Sequence, residues 1–303
     1  MKRDLISMLD VKDDLEEIID LSIDLKNKSK NGKSIQLLKE KNLCMIFEKS
    51  STRTRVSFEV GINLLGGHPI FLSINDIQLG RGETIEDTAL VLSRYADLIM
   101  YRAKSNDAMK ELAQHATIPV INGLDNKEHP CQVITDLMTI KEHKGHLKNL
   151  NFVYIGDGKN NMSHSYLLGC GIAGMNIKVV TPKSYFPDKF YVNEAKKFGI
   201  NVEITDSIAG STKDADVVAT DTWISMGDEK EKENRLKDFK GYTIDKDLMN
   251  HAKSDVIFLH CLPAYYDYEV TKDVAHGKQS VIFDEAENRL WAQIGIMVTL
   301  SKK

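Results

Sequence analysis

Short apolar runs alternate with longer segments of helical period along the whole chain, and this alternation limits the possible folds more than any other feature. The runs are LCMIF (43–47), ADLIMY (96–101), IPVI (118–121), FVYI (152–155), IKVV (177–180), NVEI (201–204), ADVVA (215–219), VIFL (256–259) and SVIF (280–283). They are rich in valine and isoleucine with little polar alternation, the pattern of strands buried on both faces. Between them, residues 12–26 place Leu15, Ile18, Ile19, Ser22 and Leu25 on one stripe, and residues 56–65 place Val56, Val60 and Leu64 at steps of four. Strands alternating with helices predict an α/β fold with largely parallel sheets flanked by helices.

A chain of 303 residues exceeds what one core usually covers, so two such domains are expected. The polar stretch KEHKGHLKN (141–149) reads as their join, which gives domains at 1–145 and 146–303. The charged run GDEKEKENRLKDFKG (227–241) reads as a solvated loop or helix face. With 40 basic against 44 acidic residues the net charge is −4, which offers no electrostatic case for nucleic acid or an anionic membrane as partner. No apolar run is long enough to span a bilayer, and no secretory core follows Lys2 and Arg3. The four cysteines form no CxxC pair, so the expectation is a reduced chain in the cytoplasm.

In an open α/β sheet, ligands bind outside the carboxyl ends of the strands. The residues directly after the runs are therefore the candidates. After LCMIF comes EKSSTRTR, after ADLIMY comes Arg102, and after IPVI comes NGLDNKEHPCQ with His129 and Gln132. After FVYI comes GDGKNN, after ADVVA comes TDTWISMG, after VIFL comes HCLP, and after SVIF comes DEAENR. Chemically capable clusters sort to strand ends, which scattered surface polarity would not do. Ser51, Thr52 and Thr54 with Arg53 or Arg55 stand where a strand meets a helix. Unpaired N–H groups and a positive dipole end at such a point favour an anion, above all phosphate. A helix cap needs only one of these hydroxyls.

Other chemistries fit less well. GDGKNN has Gly156 and Gly158 of a dinucleotide fingerprint, but Asn161 replaces the third glycine and no acidic residue ends the next strand. NGKS (31–34) lacks the first glycine of a Walker loop, because Asn27 stands there. His129, Cys131, His260 and Cys261 lack the spacing of a zinc site, so no metal is expected. No GxSxG elbow is present, and Cys261 is weighed as a nucleophile against a small buried hydrophobe.

Taken together, SSTRTR, Arg102, HPCQ, DTWISMG, HCLPA and DEAENR resemble the aspartate/ornithine transcarbamylases in the right order over essentially the whole chain, and DTWISMG (Asp221 to Gly227) favours the ornithine branch. The resemblance implies transfer of a carbamoyl group from carbamoyl phosphate to the δ-amine of ornithine, giving citrulline and phosphate without a cofactor. It implies a first domain for carbamoyl phosphate and a second for ornithine, with the active site in the cleft between them and the last helix, about 287–303, packed on the first domain. Ser51, Thr52, Arg53, Thr54 and Arg102 are implied at the phosphate. His129, Gln132, Cys261 and Leu262 are implied at the carbamoyl group, with Arg289 near and Gln78 supplied by a neighbouring subunit. Asn161, Asp221, Ser225 and Met226 are implied at ornithine. The implied chemistry rests on Arg102, His129, Asp221 and Cys261, in a homotrimer or multiple of trimers serving arginine metabolism. Putrescine or another amine as acceptor, and a nucleotide-binding α/β module, are the rival readings.

Overall fold

The computed structural model describes residues 2–224 and 229–302. In chain order the elements are α1 (Leu15–Lys30), β1 (Asn42–Phe47), α2 (Thr52–Leu64), β2 (His68–Ser73), α3 (Ile85–Tyr95), β3 (Leu98–Arg102), α4 (Asn106–His115), β4 (Val120–Leu124) and α5 (Pro130–Lys144). Then follow β5 (Asn151–Ile155), α6 (Asn161–Ala173), β6 (Asn176–Val180), α7 (Lys189–Lys196), β7 (Val202–Thr205), β8 (Val217–Thr220), α8 (Lys232–Asp238), α9 (Lys246–Asn250), β9 (Ile257–His260), α10 (Lys272–Ala275) and α11 (Ile282–Ser301).

The chain divides into two compact units, Met1–Met138 with Glu287–Lys303, and Thr139–Ala286. The first holds a parallel sheet in the order β2-β1-β3-β4. The second holds a parallel sheet in the order β7-β6-β5-β8-β9. Parallel neighbours need crossovers, which the intervening helices supply. Strands β3, β8 and β9 are buried at every residue, in keeping with their continuous apolar sequence. In each sheet the chain leaves a strand toward one edge and later returns to pair on that strand's other side. These switch points lie at β1/β3 in the first unit and β5/β8 in the second, and their carboxyl ends form crevices suited to ligands.

Helix α11 belongs to the first unit from Glu287 onward, and two glycines let it seat closely. A Cβ at Gly61 of α2 would lie 3.2 Å from Met297 Cε, and one at Gly295 would lie 2.0 Å from Ser22 Oγ of α1. Lys26 of α1 donates to Asn288 Oδ1 at 2.7 Å in the same buried seam.

Two expectations are corrected, and one strand had not been foreseen. The run SVIF is not a strand: Ser280 makes one bridge to Phe258, and α11 begins at Ile282. Strand β2, HPIFLS, carries Pro69 and lies half-exposed at a sheet edge, where a missing N–H is tolerated. Helix α2 buries Thr54, Phe58, Gly61 and Ile62, whereas Val56 and Val60 face outward at 51% and 41% exposure. The stripe on α1 lies buried as read. In the charged run, α8 forms over Lys232–Asp238 with no fully buried residue, and Gly227 and Asp228 lie outside the described residues.

Candidate active site

In the first unit, α2 starts two turns of chemistry at once. Ser51 is its N-cap, with extended backbone, and its hydroxyl accepts the Thr54 N–H at 3.3 Å. Thr54 then becomes a hub. Its buried Oγ1 receives the Ser51 hydroxyl at 3.0 Å, Arg289 Nη2 at 3.0 Å and Arg102 Nη1 at 3.5 Å. Arg102 ends β3 and also donates to Gly123 O at 3.4 Å. Arg289 Nη1 donates to Gln132 Oε1, and Gln132 Nε2 donates to Asp136 Oδ1 at 2.8 Å, which fixes the amide's orientation. Arg102, Arg289, His129 and Gln132 are all at most 5% exposed.

His129 stands at the head of α5, where its carbonyl accepts the Gln132 N–H at 3.1 Å. Burial, then the guanidiniums of Arg289, Arg102 and Arg53, hold its pKa well below the ordinary value. A neutral imidazole among three guanidiniums leaves the positive charge to the arginines and offers a neutral N–H donor. This constellation suits a compact dianion with a carbonyl beside it. Arg55 is not part of it. That side chain pairs with Glu59 at 2.8 Å and lies over the Phe71 ring at 3.6 Å. Thr52 is exposed at the first turn of α2, and Gln78 is exposed at the start of a 3-10 turn, Gln78–Arg81.

In the second unit, Asp221 follows β8 at the switch point and is 8% exposed. Burial raises its pKa, while His260, the Thr222 N–H and the Cys261 thiol act the other way. Its oxygens accept the Thr222 N–H at 2.7 Å, the Cys261 thiol at 3.3 Å and Asn160 Nδ2 at 3.2 Å. All three of these hydrogen-bond donors to the buried Asp221 carboxyl are neutral. A substrate ammonium would satisfy it.

Asn160 escaped the sequence reading. It caps α6, accepting the Ser163 N–H at 2.8 Å, and it also donates to the Tyr154 hydroxyl at 3.0 Å. Its position just before a helix was the available signal. Asn161 opens that helix beside it. A dinucleotide phosphate at this helix start would face the Asp221 carboxylate, and like charges oppose that reading.

His260 and Leu262 shape the neighbouring turn. The Leu262 N–H donates to His260 Nδ1 at 2.9 Å, and His260 Nε2 meets buried Glu269 Oε1 at 3.1 Å. Leu262 adopts a φ of 58°, and the Leu262–Pro263 peptide is cis. Ligand atoms of Asp221, His260 and Cys261 lie within 4.8 Å of one another, which could hold a metal ion. Both His260 nitrogens are already engaged, so an ion would have to displace one of those bonds. Cys131 is buried and its pKa is pushed up to about 12, which leaves it a small hydrophobe. Ser225 and Met226 lie outside the described residues.

Glu128, beside His129, is a second residue the sequence did not expose. Its carboxyl is buried and its pKa is pushed up to about 7, mainly by burial, with Asp125 and Asp10 adding to the rise. A folded pKa above the unfolded value means stability present at low pH that is lost as pH rises from about 4.5 through about 7. Chemical denaturation is therefore expected to show a loss of up to roughly 3 kcal/mol across that window. Glu128→Gln should remove this part of the slope, and an unchanged slope would rule Glu128 out as its source.

Residues 3–142 match the family described as aspartate/ornithine carbamoyltransferase, carbamoyl-P binding domain, and residues 148–300 match the Asp/Orn binding domain of the same family. An ornithine carbamoyltransferase of Caldicellulosiruptor saccharolyticus is 55% identical over 95% of this chain and 94% of its own. A catabolic ornithine carbamoyltransferase of Thermoplasma volcanium is 51% identical over 99% of this chain and 98% of its own. The solved ornithine carbamoyltransferase of Pyrococcus furiosus superposes with a TM-score of 0.94 at 46% identity, covering 98% and 96% of the two chains. The chain belongs to the aspartate/ornithine carbamoyltransferase family, a family of carbamoyl-transferring enzymes. Its place in that family is the ornithine carbamoyltransferase branch. Among the described residues, no helix is long and apolar enough to cross a membrane.

Proposed function

We propose that this chain transfers the carbamoyl group of carbamoyl phosphate to the δ-amine of L-ornithine, giving L-citrulline and phosphate, in the cytoplasm and within arginine metabolism. The observation that carries the proposal is the convergence of Arg53, Arg102 and Arg289 on a neutral, buried His129 beside Thr54. In this reading Ser51, Thr52, Arg53, Thr54 and Arg102 take the phosphate. His129, Arg102 and Thr54 donate to the carbamoyl oxygen, and Gln132, with the backbone at Cys261 and Leu262, takes the carbamoyl nitrogen. Asp221 pairs with the α-ammonium of ornithine, while Asn161, Ser225 and Met226 hold the rest of the amino acid. The Cys261 thiol orients the attacking amine.

The neutral δ-amine attacks the carbonyl carbon, charge grows on the carbonyl oxygen, the C–O bond to phosphate then breaks, and the departing phosphate takes the proton that the amine nitrogen sheds. Donors already in place at both oxygens lower the barrier without reorganising. Holding two substrates together removes a large entropic part of it. No cofactor takes part in this scheme. Citrulline formation with ornithine, putrescine, lysine and aspartate as acceptors tests the proposal. Ornithine should exceed the others by orders of magnitude, and a faster rate with putrescine would overturn it.

The proposed active species is a homotrimer, or a multiple of it, in which Gln78 reaches a neighbour's site. Exposed Val56 and Val60 on α2, and Leu90, Val91 and Tyr95 on α3, support an oligomeric surface in the first unit. Mixing Gln78→Ala subunits with Arg53→Ala subunits, assayed at carbamoyl phosphate well below saturation, should give more activity than either variant alone, because some sites then receive both intact residues. A fully active monomer in sedimentation would exclude shared sites.

A further inference from the structure

The segment ahead of α1 is tied along the free side of β4. Leu5 pairs with Ile121, its N–H donating to Val120 O at 2.9 Å and its carbonyl accepting the Asn122 N–H at 2.8 Å. Asp4 Oδ1 accepts the Val120 N–H at 2.8 Å, and Asn122 Nδ2 donates to Ile6 O at 2.8 Å. Leu5, Met8 and Val11 are buried to 1% exposure or less. The chain then turns at a short 3-10 segment, Met8–Val11, capped by Ser7 and Asp10.

The first N–H of that turn points at the β4–α5 loop. Met8 N–H donates to Glu128 Oε2 at 3.0 Å, and the Ser7 side chain also bonds that carboxyl. The loop is closed upon itself around Asp125. Asp125 Oδ1 accepts the N–H groups of Lys127 at 2.7 Å and Glu128 at 2.8 Å. Asp125 Oδ2 accepts Asn122 Nδ2 at 3.0 Å and Asn106 Nδ2 at 2.8 Å, and the Asp125 N–H donates to Glu128 O at 3.0 Å. Glu128 thus joins a rigid loop to the strap, and the next residue is His129.

We propose that residues 4–11 form a strap that sets the aim of His129, and that Glu128 is the positioning residue through which the strap acts. The inference rests on His129 donating to the carbamoyl oxygen, as read above. The strap bonds the loop directly at Glu128 through Ser7 and Met8, and indirectly at Asp125 through Asn122, while the loop leads into the anion pocket at His129. Cutting the Glu128 link should therefore leave the phosphate donors of α2 in place and misdirect the donor at the carbonyl.

Two probes separate these effects in calorimetry. Inorganic phosphate has no carbonyl, whereas phosphonoacetamide carries one beside its phosphonate. Glu128→Ala is expected to weaken phosphonoacetamide by about five- to tenfold, with phosphate changed by less than about twofold. Glu128→Gln keeps an oxygen to accept the Met8 N–H, so it should restore the parent ratio of the two affinities. Ser7→Ala, a milder cut, should shift the ratio in the same direction by a smaller factor, and it decides the matter if Glu128→Ala does not fold. An unchanged ratio in the folded variant, or equal losses for both probes, overturns the strap's role. A parent protein that binds neither probe overturns the anion-pocket reading itself, and the strap's role falls with it.

Discussion

Arg102→Ala is expected to lower kcat/KM for carbamoyl phosphate by about 10²–10³, with most of the loss in kcat. Arg102 is buried at the end of β3, within reach of Thr54 and the Gly123 carbonyl. In the proposed reaction it serves an oxygen whose charge grows only as the reaction proceeds, so its removal should cost more in the transition state than in binding. Arg102→Lys keeps the charge but loses the planar fork, and should recover only part of the rate. Arg53, half-buried at the start of α2, is expected to behave differently. Arg53→Ala should weaken inorganic phosphate and carbamoyl phosphate alike, by about tenfold. Steady-state kinetics with phosphate calorimetry on both variants separates the roles. An Arg102→Ala enzyme with unchanged kcat would remove Arg102 from the reacting centre.

The second large effect concerns the acceptor. Ornithine and putrescine share both amines, and ornithine alone adds an α-carboxylate, so n-butylamine is the acceptor that keeps the attacking amine and lacks the ammonium. Buried Asp221 loses the ammonium partner that ornithine would supply when n-butylamine binds instead. Sites built on such a polar partner discriminate by about 10⁴. Asp221→Asn should therefore reduce kcat/KM for ornithine sharply and narrow the gap to n-butylamine, while carbamoyl phosphate binding to the free enzyme changes little. Equal kcat/KM values for ornithine and n-butylamine in the parent protein would refute Asp221 as the ammonium partner.

Most of the sheet was legible because strands buried on both faces leave continuous apolar runs, which little else in a chain of this composition produces. The failures have local causes. SVIF is too short for periodicity to tell a strand from the first turn of a buried helix. HPIFLS holds a proline and lies at an edge, so it lacks the signature of a central strand. Helix α2 carries two apolar stripes, and the one at Val56 and Val60 was the more regular in sequence although Phe58 and Ile62 face the core. At the site, residues directly following strands were readable because parallel topology sends them to one end of the sheet. Asn160 and Glu128 were not, because their roles depend on partners far away in sequence. The bond from Arg289 to Thr54 spans 235 residues, and no periodicity or spacing rule reaches that far.

That last bond bears on how the protein is made. The strands and loops of the anion pocket belong to the first 138 residues, but Arg289 arrives on α11 after the whole of the second unit. Domains fold as they emerge, at about 5–20 residues per second, so the early part waits roughly 7–30 s for its last helix. During that interval the faces of α1 and α2 around Gly61 and Ser22 lack the helix that covers them. A nascent chain is thus exposed to chaperones and proteases along one seam until synthesis reaches α11. The pocket acquires its third guanidinium only when that seam closes, which would link the proposed competence for phosphate to completion of the surrounding core.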